Sequence, residues 1–147
     1  MTGTEATSAK LSMHVTFDMC SQARCLPVIR ATVGQLAAMI GWDESESRCI
    51  TLAVDEALAN VIRHAYHGRT DGPIELQILV DDDELQIRIR NTGDPPDPAR
   101  ICAREVGCDR IGGLGTHIIR DVMDSVSYES GPEGNWFIAR KRLRRKV

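Results

Sequence analysis

The longest regular stretch of the chain has the polarity pattern of one amphipathic helix. Between Asp43 and His67 the apolar residues recur every three or four positions, the spacing that places side chains on one face of an α-helix. The apolar stripe consists of Ile50, Val54, Ala57, Leu58, Val61 and Ala65. Asp43 and Glu46 have the spacing of a capping box, and His67-Gly68 is placed to end the helix. We therefore predict a central helix packed against the core.

A second helix and several strands surround this central helix. Apolar residues from Leu26 to Ile40 recur at helical spacing, and Gly41 is placed to stop that helix. A short helical pattern begins at His117. Alternating apolar and polar residues, typical of strands with one buried face, occupy 11–17, 74–80, 85–90, 126–128 and 136–139. This order predicts an α+β fold, a two-layer sandwich with helices on one face of a mainly antiparallel sheet.

Composition narrows the class of protein. The chain has 147 residues, of which 42% are hydrophobic, and this suits one globular domain. We place that domain at 11–143, after a disordered tail at 1–10 and before a basic tail at 144–147. A formal charge of -3 gives no general attraction to nucleic acid or to an anionic membrane. No apolar run approaches the ~20 residues of a membrane span, and the start lacks the apolar core of a signal peptide, so we expect a cytoplasmic protein.

The five cysteines are odd in number and contain no CxxC spacing, which favours reduced thiols over disulfides or a zinc site. The acidic run Asp81-Asp82-Asp83 lacks the glycine and distal glutamate of a calcium-binding EF-hand loop. A solvated hairpin tip is therefore expected there.

Two polar residues of the central helix are the first candidates for chemistry. Glu56 and Asn60 are four positions apart, so they point the same way from the flank of the apolar stripe. A carboxylate and a carboxamide therefore face one spot. The alternative is that both belong to an ordinary solvated helix surface.

A third candidate ends the second strand of the predicted hairpin. Asn91 continues the alternation that turns Leu85, Ile87 and Ile89 inward, and a buried amide must find hydrogen-bond partners. A ligand pocket is one way to supply them, and a turn-forming asparagine is the other. The aperiodic stretch that follows, up to Ile111, has the length of a lid or binding loop, although an ordered insertion is equally compatible with it.

A glycine-rich segment precedes the last helical pattern. It reads Gly112, Gly113, Leu114, Gly115 and Thr116. Glycines at a helix entry allow close backbone approach, and the free N–H groups and helix dipole there favour an anion such as phosphate. Simple turn glycines are the alternative.

Three segments taken together resemble a known family. DEALANVIRHAY, IRNTGDPPDP and GGLGTHIIRDVMDSVSY resemble, in order and spacing, the N, G1 and G2 boxes of the GHKL (Bergerat-fold) ATPases. The short length and the last box look like the bacterial anti-sigma factor serine kinases. The resemblance covers Leu11 to Leu143 and implies the Bergerat ATP-binding fold.

The resemblance also implies roles for individual residues. Glu56 matches the general base, and Asn60 matches the residue that holds Mg²⁺. Gly93 matches the G1 glycine. The segment at the phosphates would consist of Gly112, Gly113, Leu114, Gly115 and Thr116. Asn91 departs from the family, whose aspartate accepts a hydrogen bond from the adenine amino group. An asparagine oxygen can still accept that bond, and its amide can donate to a neighbouring ring nitrogen.

The activity implied is that of a serine/threonine protein kinase. It would move the γ-phosphate of ATP onto a serine of a STAS-domain anti-anti-sigma partner and would also sequester a sigma factor, without binding nucleic acid or membrane. The resemblance further implies a homodimer through the first strand and helix. Two alternatives stay open, a nucleotide-gated binding switch without turnover and an interaction domain that binds no nucleotide.

Overall fold

In the computed structural model, which describes residues 10–97 and 114–143, five strands form one antiparallel sheet. The strands are β1 (Ser12–Cys20), β2 (Pro73–Asp81), β3 (Glu84–Asn91), β4 (Ser125–Gly131) and β5 (Gly134–Arg142). Their order across the sheet is β1-β2-β3-β5-β4. The strand that ends at Asn91 is therefore central, with a neighbour on each side.

The helices lie over one face of this sheet. They are α1 (Leu26–Met39), preceded by a 3₁₀ turn (Ala23–Cys25), α2 (Glu44–Asn60), continued by a π-helix (Val61–Ala65), and α3 (Leu114–Val122). α2 packs against both α1 and α3. Buried residues of all three helices and of β2, β3 and β5 form one apolar cluster. The predicted α+β two-layer fold is confirmed.

The ends of α2 follow from local sequence signals. Glu46 N–H donates to Asp43 Oδ1 at 2.8 Å, and Asp43 N–H donates to Glu46 Oε2 at 3.4 Å, which completes the predicted capping box. At the other end His67 and Gly68 adopt positive φ angles of 51° and 79°. That conformation stops a helix because it breaks the repeating hydrogen bonds. The predicted boundaries of the central helix are thus confirmed.

The strands keep the predicted alternation. In β3, Leu85, Ile87, Ile89 and Asn91 are buried while the residues between them are only partly buried. Burying one such aliphatic side chain contributes about 1.5–3 kcal/mol. β1 was predicted to end at Phe17 but continues to Cys20, because Cys20 pairs with Pro73 and Ser12 with Asp81. Pairing with a strand more than fifty positions away carries no signal in the local pattern.

The acidic turn between β2 and β3 is a hairpin tip. Asp81 Oδ1 accepts hydrogen bonds from the backbone N–H groups of Asp83 and Glu84 at 2.7 and 2.8 Å. None of the described helices combines the length and apolar character that a membrane crossing needs. Apart from Lys10, the two predicted tails lie outside the described residues.

Candidate functional site

Glu56 and Asn60 of α2 both contact Arg63, which lies in the π-helix that continues α2. Arg63 Nη2 lies 3.2 Å from Asn60 Oδ1 and 3.7 Å from Glu56 Oε2. The Glu56 side chain is 27% exposed and that of Arg63 is 59% exposed. The predicted convergence of carboxylate and carboxamide is therefore present, and a guanidinium group occupies the spot that they face.

The chemistry of this spot suits a hard cation. Carboxylate and amide oxygens are ligands that Mg²⁺ accepts, and both oxygens already contact a positive charge. No group of three or more His, Cys, Asp or Glu side chains in the described residues has the geometry of a metal site. A metal here would consequently complete its ligand set with water or with oxygens of a bound molecule, as Mg²⁺ commonly does.

The helix changes its hydrogen-bond pattern immediately after Asn60. Tyr66 N–H donates to Val61 O at 3.1 Å, across the π-helical turn Val61–Ala65. The acceptor is five residues before the donor, whereas in an α-helix it is four residues before. Val61 and Ala65 remain buried, while Arg63 and His64 stay exposed. Such turns are rare and occur frequently at functional sites.

The end of β3 is attached to this π-helical turn. Asp94 N–H donates to Ala65 O at 3.0 Å, and Thr92 N–H donates to Tyr66 Oη at 2.8 Å. A Cβ atom at Gly93 would lie 2.3 Å from Ala65 O. Only glycine permits this approach, so Gly93 holds the segment after β3 against the end of the helix that carries Glu56 and Asn60.

Asn91 lies inside a network of amide groups at the end of β3. It is 7% exposed and is directly opposite Asn135 of β5, which is also 7% exposed. Asn91 Oδ1 accepts from Gly93 N–H at 3.1 Å and from Asn135 Nδ2 at 3.0 Å. Asn135 Nδ2 also donates to Gly93 O at 2.9 Å, and Ser130 Oγ donates to Asn135 Oδ1 at 2.9 Å. The expectation that a buried amide needs partners is met by the chain itself.

Asn135 and the contacts of Arg63 were not predicted from the sequence. Asn135 is two positions before the inward-facing Phe137, so alternation along the strand could have predicted that its side chain is buried. Its pairing with Asn91 depends on the register of β3 against β5. Arg63 is three positions after Asn60, a spacing at which helical side chains meet. That spacing alone does not show which of its several neighbours Arg63 contacts.

An open groove lies elsewhere in the described part of the chain. It has a volume of about 410 Å³ and is lined by the segment after β3 and by the β4–β5 turn, including Gly93 and Asn135. No lining residue comes from α2. This groove therefore does not include the space in front of Glu56 and Asn60, and the candidate site is located by its chemistry.

The glycine-rich segment is described only in part. Gly112 and Gly113 lie outside the described residues, whereas Leu114, Gly115 and Thr116 form the first turn of α3. The helix thus begins before His117, where its apolar pattern starts. α3 packs beside α2 through Ile119, which is 1% exposed. The phosphate-binding role of this segment stays a prediction.

Comparison with protein families gives one match over most of the chain. The histidine kinase-like ATPase domain matches residues 20–141. The serine-protein kinase RsbW of Listeria monocytogenes is 30% identical over 132 residues, which covers 82% of this chain and 84% of that protein. RsbW of Bacillus subtilis is 25% identical over 126 residues and covers 80% and 78% of the two chains.

Two solved structures share the fold. The RsbU and RsbW domains of Rv1364c from Mycobacterium tuberculosis superpose with a TM-score of 0.63 at 20% identity, over 93% of this chain and 34% of that one. The histidine kinase domain of the blue-light activated kinase EL346 from Erythrobacter litoralis gives a TM-score of 0.56 at 18% identity, over 82% and 60%. At these identities the likeness concerns the fold alone.

Proposed function

The chain belongs to the histidine kinase-like (GHKL, Bergerat-fold) ATPase family, among the anti-sigma serine kinases, and from this premise we propose that it phosphorylates a serine of a STAS-domain anti-anti-sigma partner with ATP. The observation that carries the proposal is the convergence of the Glu56 carboxylate and the Asn60 carboxamide on one partly exposed spot. Several relatives are named serine-protein kinases, which supports phosphoryl transfer as the reaction.

In the proposed reaction Glu56 is the general base. Its carboxylate is partly exposed, so a serine hydroxyl of a docked protein can reach it. A base within hydrogen-bond reach of the attacking hydroxyl accepts its proton as the serine oxygen bonds to the γ-phosphorus and the bond from that phosphorus to the leaving ADP oxygen breaks. Because Arg63 contacts the same carboxylate, its guanidinium must move aside or share Glu56 with the incoming hydroxyl.

Asn60 is the proposed Mg²⁺ ligand, through Oδ1. The bound ion would neutralise charge on the phosphate oxygens, the main requirement of phosphoryl transfer besides positioning. Asn91 and Gly93 are assigned to the base end of the nucleotide, next to the end of the helix that carries Asn60. The backbone N–H groups of the glycine-rich segment, Gly112 to Thr116, are assigned to the phosphates.

The proposed protein partners are a STAS-domain substrate, a sigma factor and a second copy of the chain, in the cytoplasm. Support for the second copy comes from β1, an edge strand of the sheet whose Met13 is 37% exposed. An unpaired strand edge with apolar side chains is a common surface for pairing between chains.

The test is phosphoserine formation on candidate STAS-domain proteins with Mg-ATP, followed by mass spectrometry. Glu56→Gln should reduce the rate by about a hundredfold or more while ATP binding is retained, because only the proton acceptor is lost. Glu44→Gln, at a side chain 86% exposed at the start of the same helix, is the matched control and should leave the rate unchanged. Absence of transfer to every candidate, or full activity of Glu56→Gln, would contradict the proposal.

One observation favours a second candidate, a nucleotide-gated switch without turnover. Arg63 engages both Glu56 and Asn60, so the residues assigned to chemistry are held by a cation of the chain itself. A switch would bind its sigma factor differently with ATP and with ADP, would yield no phosphoserine, and would keep this regulation in Glu56→Gln.

A further inference from the structure

The orientation of two buried amides is fixed by the backbone of Gly93. Its N–H donates to Asn91 Oδ1 at 3.1 Å, and its carbonyl oxygen accepts from Asn135 Nδ2 at 2.9 Å. A backbone N–H only donates and a carbonyl only accepts, so these contacts identify the oxygen and the nitrogen of each carboxamide. The direct bond between the two side chains, from Asn135 Nδ2 to Asn91 Oδ1 at 3.0 Å, agrees with both assignments.

Asn91 Oδ1 is fully used by these contacts. It accepts two hydrogen bonds, one for each of its lone pairs. Asn91 Nδ2 has no acceptor among the described residues, and this nitrogen is not fully enclosed by the protein. The group that Asn91 can offer to a ligand is therefore an N–H donor and not an acceptor.

Rotation of the amide does not change this outcome. Turning Asn91 over would place Nδ2 against Gly93 N–H and against Asn135 Nδ2, which creates two contacts between donors. Asn135 cannot turn in compensation, because its nitrogen donates to Gly93 O at 2.9 Å and a turn would place its oxygen against that carbonyl oxygen. The network holds Asn91 in the orientation with the donor outward.

We propose that Asn91 makes the nucleotide site accept purines with a carbonyl at position 6, guanine or hypoxanthine, at least as well as adenine. This inference rests on the proposed function, which assigns Asn91 to the base end of the nucleotide. The amino group of adenine and the amide N–H of Asn91 are both donors, whereas a 6-carbonyl accepts from that N–H. An unpaired donor in such a contact weakens binding by about tenfold to a hundredfold.

An aspartate at the same position would reverse the preference. One carboxylate oxygen would keep the bonds from Gly93 N–H and Asn135 Nδ2, and the other would accept from the amino group of adenine. The change Asn91→Asp preserves size and shape, exchanges a donor for an acceptor and adds one negative charge. Phosphoryl transfer takes place at the γ-phosphate, so a broader base preference leaves the proposed kinase reaction intact.

The experiment is calorimetric titration of the protein with ATP, ITP and GTP in the presence of Mg²⁺. ITP differs from ATP at position 6 and at the adjacent ring nitrogen, so the ratio of their dissociation constants reports on the group facing Asn91. The wild-type protein should bind ITP at least as tightly as ATP. Asn91→Asp should shift the ratio towards ATP by about tenfold or more. Gln86→Glu makes the same chemical change in β3 at a residue between the buried positions Leu85 and Ile87, and should leave the ratio unchanged.

The wild-type ratio is decisive even if Asn91→Asp fails to fold. Binding of ATP at least tenfold tighter than ITP by the wild type, or a ratio unchanged by Asn91→Asp, would overturn the inference and leave the proposed function standing. Absence of binding by all three nucleotides would overturn both.

Discussion

Arg63 Nη2 donates a hydrogen bond to Asn60 Oδ1 at 3.2 Å, so the oxygen proposed to bind Mg²⁺ is engaged by a cation three positions along the same chain. The same nitrogen is 3.7 Å from Glu56 Oε2. A metal ion at Asn60 would compete with the guanidinium group for that oxygen, and the two positive charges would repel each other. Arg63 thus opposes Mg²⁺ at this spot.

We expect Arg63→Gln to lower the Mg²⁺ concentration that half-saturates ATP binding by about two- to fivefold. This range corresponds to the loss of one partly exposed charged contact, about 0.5–1 kcal/mol. ATP affinity measured by calorimetry over a Mg²⁺ series gives the midpoint. Arg48→Gln is the matched control, because Arg48 is 3.8 Å from Glu44 near the start of α2. A midpoint that rises in Arg63→Gln would indicate instead that Arg63 assists the nucleotide.

Gly93→Ala should destabilise the protein by about 2–4 kcal/mol, because the added Cβ would lie 2.3 Å from Ala65 O and backbone must move. Urea unfolding followed by circular dichroism measures the loss. Gly34→Ala is the control, because its Cβ would meet nothing within 4 Å. Within α1 that change should stabilise by about 0.5–1 kcal/mol. Equal effects at the two positions would refute the close approach of Gly93 to the π-helical turn.

The parts of the site that follow from local signals were predictable from the sequence. The capping box at Asp43, the stop at His67-Gly68 and the helical spacing of Glu56 and Asn60 each depend on residues within one or two turns. The inward parity of Asn91 likewise follows from alternation along one strand.

Contacts between distant segments were not predictable in the same way. Asn91 meets Asn135 only because β3 pairs with β5 in one register, although the two residues are 44 positions apart. The π-helical turn after Asn60 is stabilised in part by Asp94 and Thr92, which belong to the segment after β3. Periodicity identifies the faces of elements, whereas such contacts require the relative placement of those elements.

Tyr66→Phe should cost about 1–3 kcal/mol of unfolding free energy, the penalty for leaving two partly buried backbone groups without this hydrogen-bond partner. The Tyr66 hydroxyl donates to Pro73 O and accepts from Thr92 N–H at 2.8 Å, and the ring is 1% exposed. Urea unfolding at neutral pH measures the cost. Tyr128→Phe is the control, because it keeps the edge contact with Phe137 at 5.4 Å and removes only a hydroxyl. Similar costs for the two variants would argue against the bridging role of Tyr66.

Tyr128 should make stability fall at alkaline pH. Burial raises the pKa of its phenol above the ordinary value of 10.0, and the nearby charge of Arg120 offsets only part of that rise. Above about pH 10 the unfolded chain releases this proton while the folded chain retains it, so the unfolding free energy decreases until the folded-state pKa is passed. Tyr128→Phe should lose less stability than the wild type between about pH 9 and pH 11. Urea unfolding of both proteins at each pH tests this, since other titrating groups cancel in the difference. A difference between wild type and Tyr128→Phe that does not change with pH would show that folding does not raise the pKa of this phenol.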